Sequence, residues 1–268
     1  VGSEMCIRDR NTEVVRGDDM HKWERGNLNW KNYTHLDPAA NMLHENFRQS
    51  LRLKKGRTVF RRHYDHNTGD FTLPIFIRPK KLIIFEGLHS FFLQNQADVY
   101  DLKIFMSPDE ELRKFWKIQR DVKNRGYTEE KVISQLESRL GDSIKFIHSQ
   151  SSLADINFGF YFINNKQADN YKVGLSVTMD NNIFIEPVIE SLEKCEDIYV
   201  NQEYDGNKRI LKFEGTIKSE IIDRIGTELL TELEEVGIYE PEWESDLFGI
   251  MQLVTVYVIF KRLENDES

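Results

Sequence analysis

In the stretch GDDMHKWERG (residues 17–26), Asp18, Asp19, His21, Glu24 and Arg25 fall within eight residues. A carboxylate beside an imidazole and a guanidinium can accept a proton while cationic neighbours hold an anionic substrate. A second carboxylate–imidazole pair, Glu86 and His89, follows the apolar run KLIIF in EGLH. Each of Asp18 and Glu86 can also be read as a cap for the helix that follows a strand, and for either residue alone that structural reading is favoured. In FWKIQRDVKNRG, Lys117, Arg120, Asp121 and Arg125 are spaced +3, +4 and +8 from the lysine and gather on one face of a helix, with Leu112, Phe115, Trp116, Ile118 and Val122 on the other. From spacing alone this is an ordinary amphipathic helix with a solvated charged side. The run KKGRTVFRR (54–62) reads as a solvated face and lacks the aromatic interleaving of a nucleic-acid stacking platform.

Elements that would position these groups alternate through the first 165 residues. Glu13 to Arg16 reads as the end of a strand entering the GDDMHKWERG loop, and Asp37-Pro38 supplies an N-cap and first-turn pair for a helix ending at Gly56. Lys81 to Phe85 and Asp101 to Met106 read as buried strands. Ser107-Pro108-Asp109 then starts a helix to about Asn124 that stops at Gly126. Thr128 caps a further helix to about Ile147, and Ile156 to Ile163 reads as one more strand. This alternation predicts an α/β fold, a parallel sheet with helices on both faces, whose ligands sit at the carboxyl ends of the strands. Beyond residue 165, Asp205-Gly206 marks a hairpin, Ser219 to Val236 is helical by periodicity, and Met251 to Phe260 is strand-like by β-branched content.

The formal net charge of −9 is unevenly spread: residues 1–150 carry net +5 and residues 151–268 net −14, so an anionic ligand is expected in the first half. A solvated acidic helix in the second half accounts for part of that imbalance equally well. No apolar stretch approaches the roughly 18 residues of a membrane span, and no membrane or nucleic-acid partner is expected. The first ten residues, VGSEMCIRDR, have no initiator Met and no apolar run, and they match in frame a nucleotide sequence resembling the transposon-end adapter of sequencing libraries. They are expected to be foreign, which leaves Cys195 as a lone thiol and fits a reducing, cytoplasmic compartment.

Seven segments recur in order as in one family: GDDMHKWER (17–25), THLDPAAN (34–41), YDHNTGDF (64–71), IIFEGLH (83–89), DLKIFM (101–106), KIQRDVKNRGY (117–127) and FIHSQ..LADI (146–156). Over 17–163 the sequence resembles the phosphoribulokinase/uridine kinase family of P-loop kinases, and DLFGIMQLVTVYVIFKRL is similar to the family's late segment, which favours a helix there. The D..H...R loop and THLDPAAN are closer to phosphoribulokinases, whereas the RD...RG helix is shared with uridine kinases. The resemblance divides the chain into residues 1–10, a kinase-like domain at 11–165 and a C-terminal α+β extension at 166–268, which would extend the sheet and form a homo-oligomer contact.

That family begins with a strand, a GxxxxGK[ST] phosphate loop and a helix before the strand ending at the equivalent of Asp18. No GK[ST] occurs in this sequence, so the resemblance implies a fragment lacking the segment that holds the phosphates of ATP and Mg²⁺, and inactive by itself. It implies ATP-dependent transfer of the γ-phosphoryl group to a hydroxyl of a pentose phosphate or related sugar. Asp18 would be the base, and His21 and Arg25, with Tyr64 and His66 from the substrate-side loop, would hold the sugar phosphate. Glu86 would be associated with Mg²⁺. Lys117, Arg120 and Arg125 would form a cationic lid, with Asp121 as a metal-binding or orienting carboxylate. Met20 in place of the usual aromatic, and HKWER in place of the commoner HR.DR, leave the sugar open. A uridine or cytidine kinase, or another sugar kinase, is the alternative within the family; a non-catalytic nucleotide-responsive regulator is the alternative of another class.

Overall fold

A computed structural model describes residues 12–163, 171–231 and 241–267. The reading of residues 1–10 as foreign, and the end of the helix expected to reach Val236, lie outside the described residues. In chain order the elements are β1 (Thr12–Arg16), α1 (Leu43–Lys54), β2 (Val59–Arg61), β3 (Tyr64–Asp65), β4 (Asp70–Phe71), β5 (Ile75–Ile77), β6 (Leu82–Glu86), α2 (Gln94–Ala97), β7 (Ile104–Met106), α3 (Glu110–Arg125), α4 (Glu129–Asp142), β8 (Ile156–Phe162), β9 (Val173–Asp180), α5 (Glu186–Glu193), β10 (Ile198–Asp205), β11 (Lys208–Gly215), α6 (Ser219–Leu229) and α7 (Asp246–Glu267). They form two compact units, one of residues 11–103 and 118–153 and one of residues 104–117 and 154–268.

In the first unit β1 and β6 pair in parallel, with Arg16 opposite Glu86. Val15, Leu53, Val59 and Ile77 form the core beside this pair, with Ile83 and Phe85 packed against it. Asp37 caps a short 3₁₀ turn, Pro38–Ala40, accepting from Ala39 N–H at 2.7 Å; α1 starts only at Leu43. The sequence cue for a helix start is therefore answered by a 3₁₀ turn, and the α-helix follows after a break. Two small antiparallel pairs, β2–β5 and β3–β4, complete this unit. Phe60 and Phe76 face each other across β2 and β5 with ring centroids 4.9 Å apart, both exposed, as are Leu73 and Ile75. The KKGRTVFRR run is thus not a uniform solvated face, because Val59 and Arg61 point inward from it.

The second unit is built on a five-stranded sheet, β10-β11-β9-β8-β7, in which β7–β8 is parallel and the other pairs are antiparallel. Alternate residues point to one buried face: Ile156, Phe158 and Phe160 on β8, Leu175, Val177 and Met179 on β9, Leu211 and Phe213 on β11. Each such side chain contributes about 1.5–3 kcal/mol by leaving water. Around this sheet α5, α6 and α7 bury Val188, Leu192, Ile222, Ile225, Leu253, Val254 and Tyr257. The β-branched run in 251–260 is helical because α7 is buried on most of its sides, and that packing overrides intrinsic strand preference. The hairpin expected at Asp205-Gly206 joins β10 to β11.

Candidate active site

Two glycines bring the loops after β1 and β6 together. A Cβ on Gly17 would stand 2.8 Å from the Glu86 carbonyl oxygen and 3.0 Å from Gly87 Cα, so the chain can close here only without side chains. Gly17 opens a 3₁₀ turn, Gly17–Met20, that presents Asp18 outward and Asp19 inward at the carboxyl end of β1. Asp18 lies between two imidazoles, with His21 Nε2 3.5 Å from its Oδ1 and His66 Nε2 3.1 Å from its Oδ2. Its side chain keeps 39% of its surface exposed.

His21 is buried, and its ring packs against Trp30, His35 and Tyr64 at centroid distances of 5.7, 5.1 and 5.5 Å. Its Nδ1 lies 2.9 Å from Asn41 Oδ1. A small pocket is lined by Asp18, His21, His35, Asn41, Asn46 and His89 among others. Burial pushes the His35 imidazole down from its ordinary 6.5 to about 4, with the charges of His21 and Arg139 acting the same way, and burial also lowers His89. The Nε2 of His89 donates to the Leu36 carbonyl at 2.9 Å.

Asp19, one residue from Asp18, has a different environment. Its Oδ1 accepts the backbone N–H of Tyr64 at 2.8 Å and lies 3.2 Å from His63 Nδ1. Its Oδ2 is 3.4 Å from Arg61 Nε. Arg61 is almost wholly buried and also donates to Asn46 Oδ1, Gln49 Oε1 and the Arg16 carbonyl, at 2.9, 2.8 and 2.5 Å. Burial lowers the Arg61 pKa while Asp19 opposes that shift.

Arg25 donates from Nη2 to the His66 carbonyl at 2.6 Å and from Nη1 to the Asn67 carbonyl at 3.3 Å, so it holds the β3–β4 turn that carries His66. Gly69, at φ +83°, closes that turn, and a Cβ there would collide with the Arg25 side chain. Tyr64 is buried against His21, His66 and Phe71. The expected residues Asp18, His21, Arg25, Tyr64 and His66 therefore come together in one unit. Glu86, also in this unit, ends β6 with its side chain 38% exposed and 3.8 Å from Arg16 Nε. On α3, Asp121 is buried with its Oδ1 2.9 Å from Arg120 Nε. The charged face of α3 is thus not wholly solvated, as the spacing alone had implied. Lys117 belongs to the other unit, and for Arg125 only its place in α3 is described. No group of three or more His, Cys, Asp or Glu among the described residues is arranged to hold a metal ion.

Sequence reasoning passed over His35, Asn41, His63 and Arg61. The first two lie in THLDPAAN, quoted above only as a family segment; the other two sit in a basic stretch whose pairing with Asp19 spans more than 40 positions and leaves no local signal.

The sequence model of the "Phosphoribulokinase / Uridine kinase family" matches residues 7–164. A chloroplastic phosphoribulokinase of Mesembryanthemum crystallinum is 35% identical over 153 residues, 57% of this chain and 38% of its own length. The phosphoribulokinase of Synechocystis sp. is 32% identical over 143 residues, 53% of this chain and 43% of its own. The chain therefore spans about two fifths of these curated relatives. A solved phosphoribulokinase from Rhodobacter spheroides superposes with a TM-score of 0.63 at 20% identity, covering 92% of this chain and 88% of that one, which shows the same α/β fold. With its family model matched over more than half of its length, the chain belongs to the phosphoribulokinase/uridine kinase family.

Proposed function

We propose that this chain is part of an ATP-dependent kinase that transfers the γ-phosphoryl group of ATP to a hydroxyl of a pentose phosphate. The observation that carries the reading is the contrast between adjacent carboxylates: Asp19 is built into the fold, while Asp18 is open to solvent and flanked by His21 and His66. Asp18 takes the proton of the acceptor hydroxyl as its oxygen attacks the γ-phosphorus, and the bond to the ADP oxygen breaks. Arg25, His66 and Tyr64, gathered beside Asp18 in the part of the chain that the family model covers, are assigned to the sugar and its phosphate.

Arg120 of α3, in the same unit as Asp18, is assigned to supply positive charge to the transferring phosphoryl group, while Lys117 and Arg125 are carried to that role by the family resemblance alone. The Arg120–Asp121 contact favours an orienting role for Asp121 over a metal-binding one. Glu86, a partly exposed carboxylate at a strand end, fits a Mg²⁺ ion held through one protein carboxylate and the substrate phosphates. The ion, when bound, neutralises phosphate charge. The sequence has no GxxxxGK[ST], so this reading assigns the ATP phosphates to a phosphate-loop segment outside the 268 residues. It also keeps the enzyme in the cytoplasm; no helix among the described residues is long and apolar enough to cross a membrane.

The test is a comparison of acceptors in a protein that joins this chain to such a segment. Ribulose 5-phosphate should be turned over far better than uridine or cytidine. Preference for a nucleoside transfers the reading to the uridine kinase branch. Tight ATP binding without transfer to any acceptor points to a regulator.

A further inference from the structure

We infer that Asn41 is a positioning residue that fixes the proton of His21 on Nδ1 and so commits Nε2 to Asp18. The inference deepens the reading of Asp18 as the base and rests on it for its functional meaning. It begins with the Asn41 side chain, which is buried and held at both ends. Its Nδ2 donates to two backbone carbonyls, Asp37 at 3.0 Å and His35 at 3.3 Å. A flipped amide would set its oxygen against both carbonyl oxygens, so the hydrogen-bond network leaves Oδ1 facing His21. An amide oxygen only accepts, so His21 Nδ1, at 2.9 Å, must be the protonated nitrogen.

The consequence falls on the other ring nitrogen. Nε2 faces Asp18 Oδ1 at 3.5 Å. Two lone pairs would repel there, so the contact is attractive only when one proton lies between them, on the imidazole or on the carboxyl. Asp18 remains the base, and the proton that it takes from the acceptor hydroxyl is then shared with His21 Nε2, whose lone pair faces it. The surroundings hold the ring in this pose: Trp30, His35 and Tyr64 pack on it, and Arg62 donates to the His21 carbonyl. His21 and Asn41 are also joined by a backbone β-bridge, so the side chain of Asn41 can be altered without parting the two segments.

Long-range ¹H–¹⁵N spectra of the histidine rings in the 268-residue chain test this directly, with the His21 signals assigned by their loss in His21→Gln. In the unaltered chain Nδ1 should show the protonated signature throughout the pH range in which the protein stays folded. In Asn41→Ala that signature should be lost and the proton should move to Nε2, where it can be donated to Asp18. A neutral Nε2–H ring in the unaltered chain overturns the inference, as does an unchanged tautomer in Asn41→Ala. If Asn41→Ala does not fold, the unaltered spectrum decides alone. The spectra read no turnover, so failure here is separate from failure of the kinase reading, which a loss-free Asp18→Asn enzyme would bring about.

Discussion

Arg61 Nε stands 3.4 Å from Asp19 Oδ2, and both side chains are almost completely withdrawn from solvent. A cation buried in this way depends on its partner, because removing one member of a buried pair leaves the other uncompensated. Asp19→Asn should therefore lower stability by about 3–5 kcal/mol. Asp18→Asn, at a half-open site, should cost well under about 1 kcal/mol. Urea unfolding of the two variants of the 268-residue chain measures both, and equal losses would contradict the division of roles between the two aspartates.

Catalysis should sort the same pair the other way. In a protein joining this chain to a GxxxxGK[ST] segment, Asp18→Asn should reduce kcat by about 10²- to 10⁴-fold, the usual contribution of a positioned general base. ATP binding should hardly change. Steady-state kinetics and nucleotide titration check this; a normal kcat in a folded, ATP-binding variant removes Asp18 from the chemistry.

The 268-residue chain alone should show no ATP turnover above blank with any pentose phosphate or nucleoside. Phosphoryl transfer depends on positioning and charge around the nucleotide phosphates, and the sequence holds no phosphate-loop motif. A coupled ADP-release assay decides it.

Arg25 grips two backbone carbonyls of the turn that carries His66. Its replacement by Ala removes both a cation and the latch on that turn. In the joined protein, KM for the sugar phosphate should rise by about 10- to 100-fold, the scale of one charge-assisted hydrogen bond, with a smaller change in kcat. A fall confined to kcat would show that Arg25 acts on the reacting phosphoryl group instead.

The pH dependence of stability should carry a mark of His35. Burial lowers its pKa from 6.5 to about 4, so between these values the unfolded chain binds a proton that the folded chain refuses. Its contribution is complete above about pH 6.5 and is lost as the pH falls toward 4. His89, lowered in the same direction, adds to the slope. His35→Phe should lose less stability than the unaltered chain across that window, as read by thermal melts at each pH. Parallel curves would mean that the imidazole is not held neutral.

Much of this architecture was legible from local pattern. The strand-like runs read at 81–85 and 156–163, the Thr128 cap and the Asp205-Gly206 turn carry their signals within a few residues, and the observed elements lie within one residue of them. Thr128 Oγ1, for instance, accepts from Lys131 N–H as a capping residue should. Asp18, His21 and Arg25 were legible for the same reason, since they share one loop. The unread features depend on distance along the chain. Arg61 looked like one more residue of a basic run until β2 turned it inward onto Asp19, and Asn41 was indistinct until the 3₁₀ turn after Asp37 aimed its amide at His21. The strand-like composition of 251–260 gave way because burial on most sides of a helix outweighs the preference of its residues.

The facing rings of Phe60 and Phe76, both exposed, give the surface a small adhesive stripe. Such a stripe governs bench behaviour: retention on phenyl resins, adsorption to plastic, and clouding as sulfate drives apolar surface out of water. Purification of this protein will therefore reward low concentrations of structure-making salts and mild detergent, well before any question of its chemistry arises.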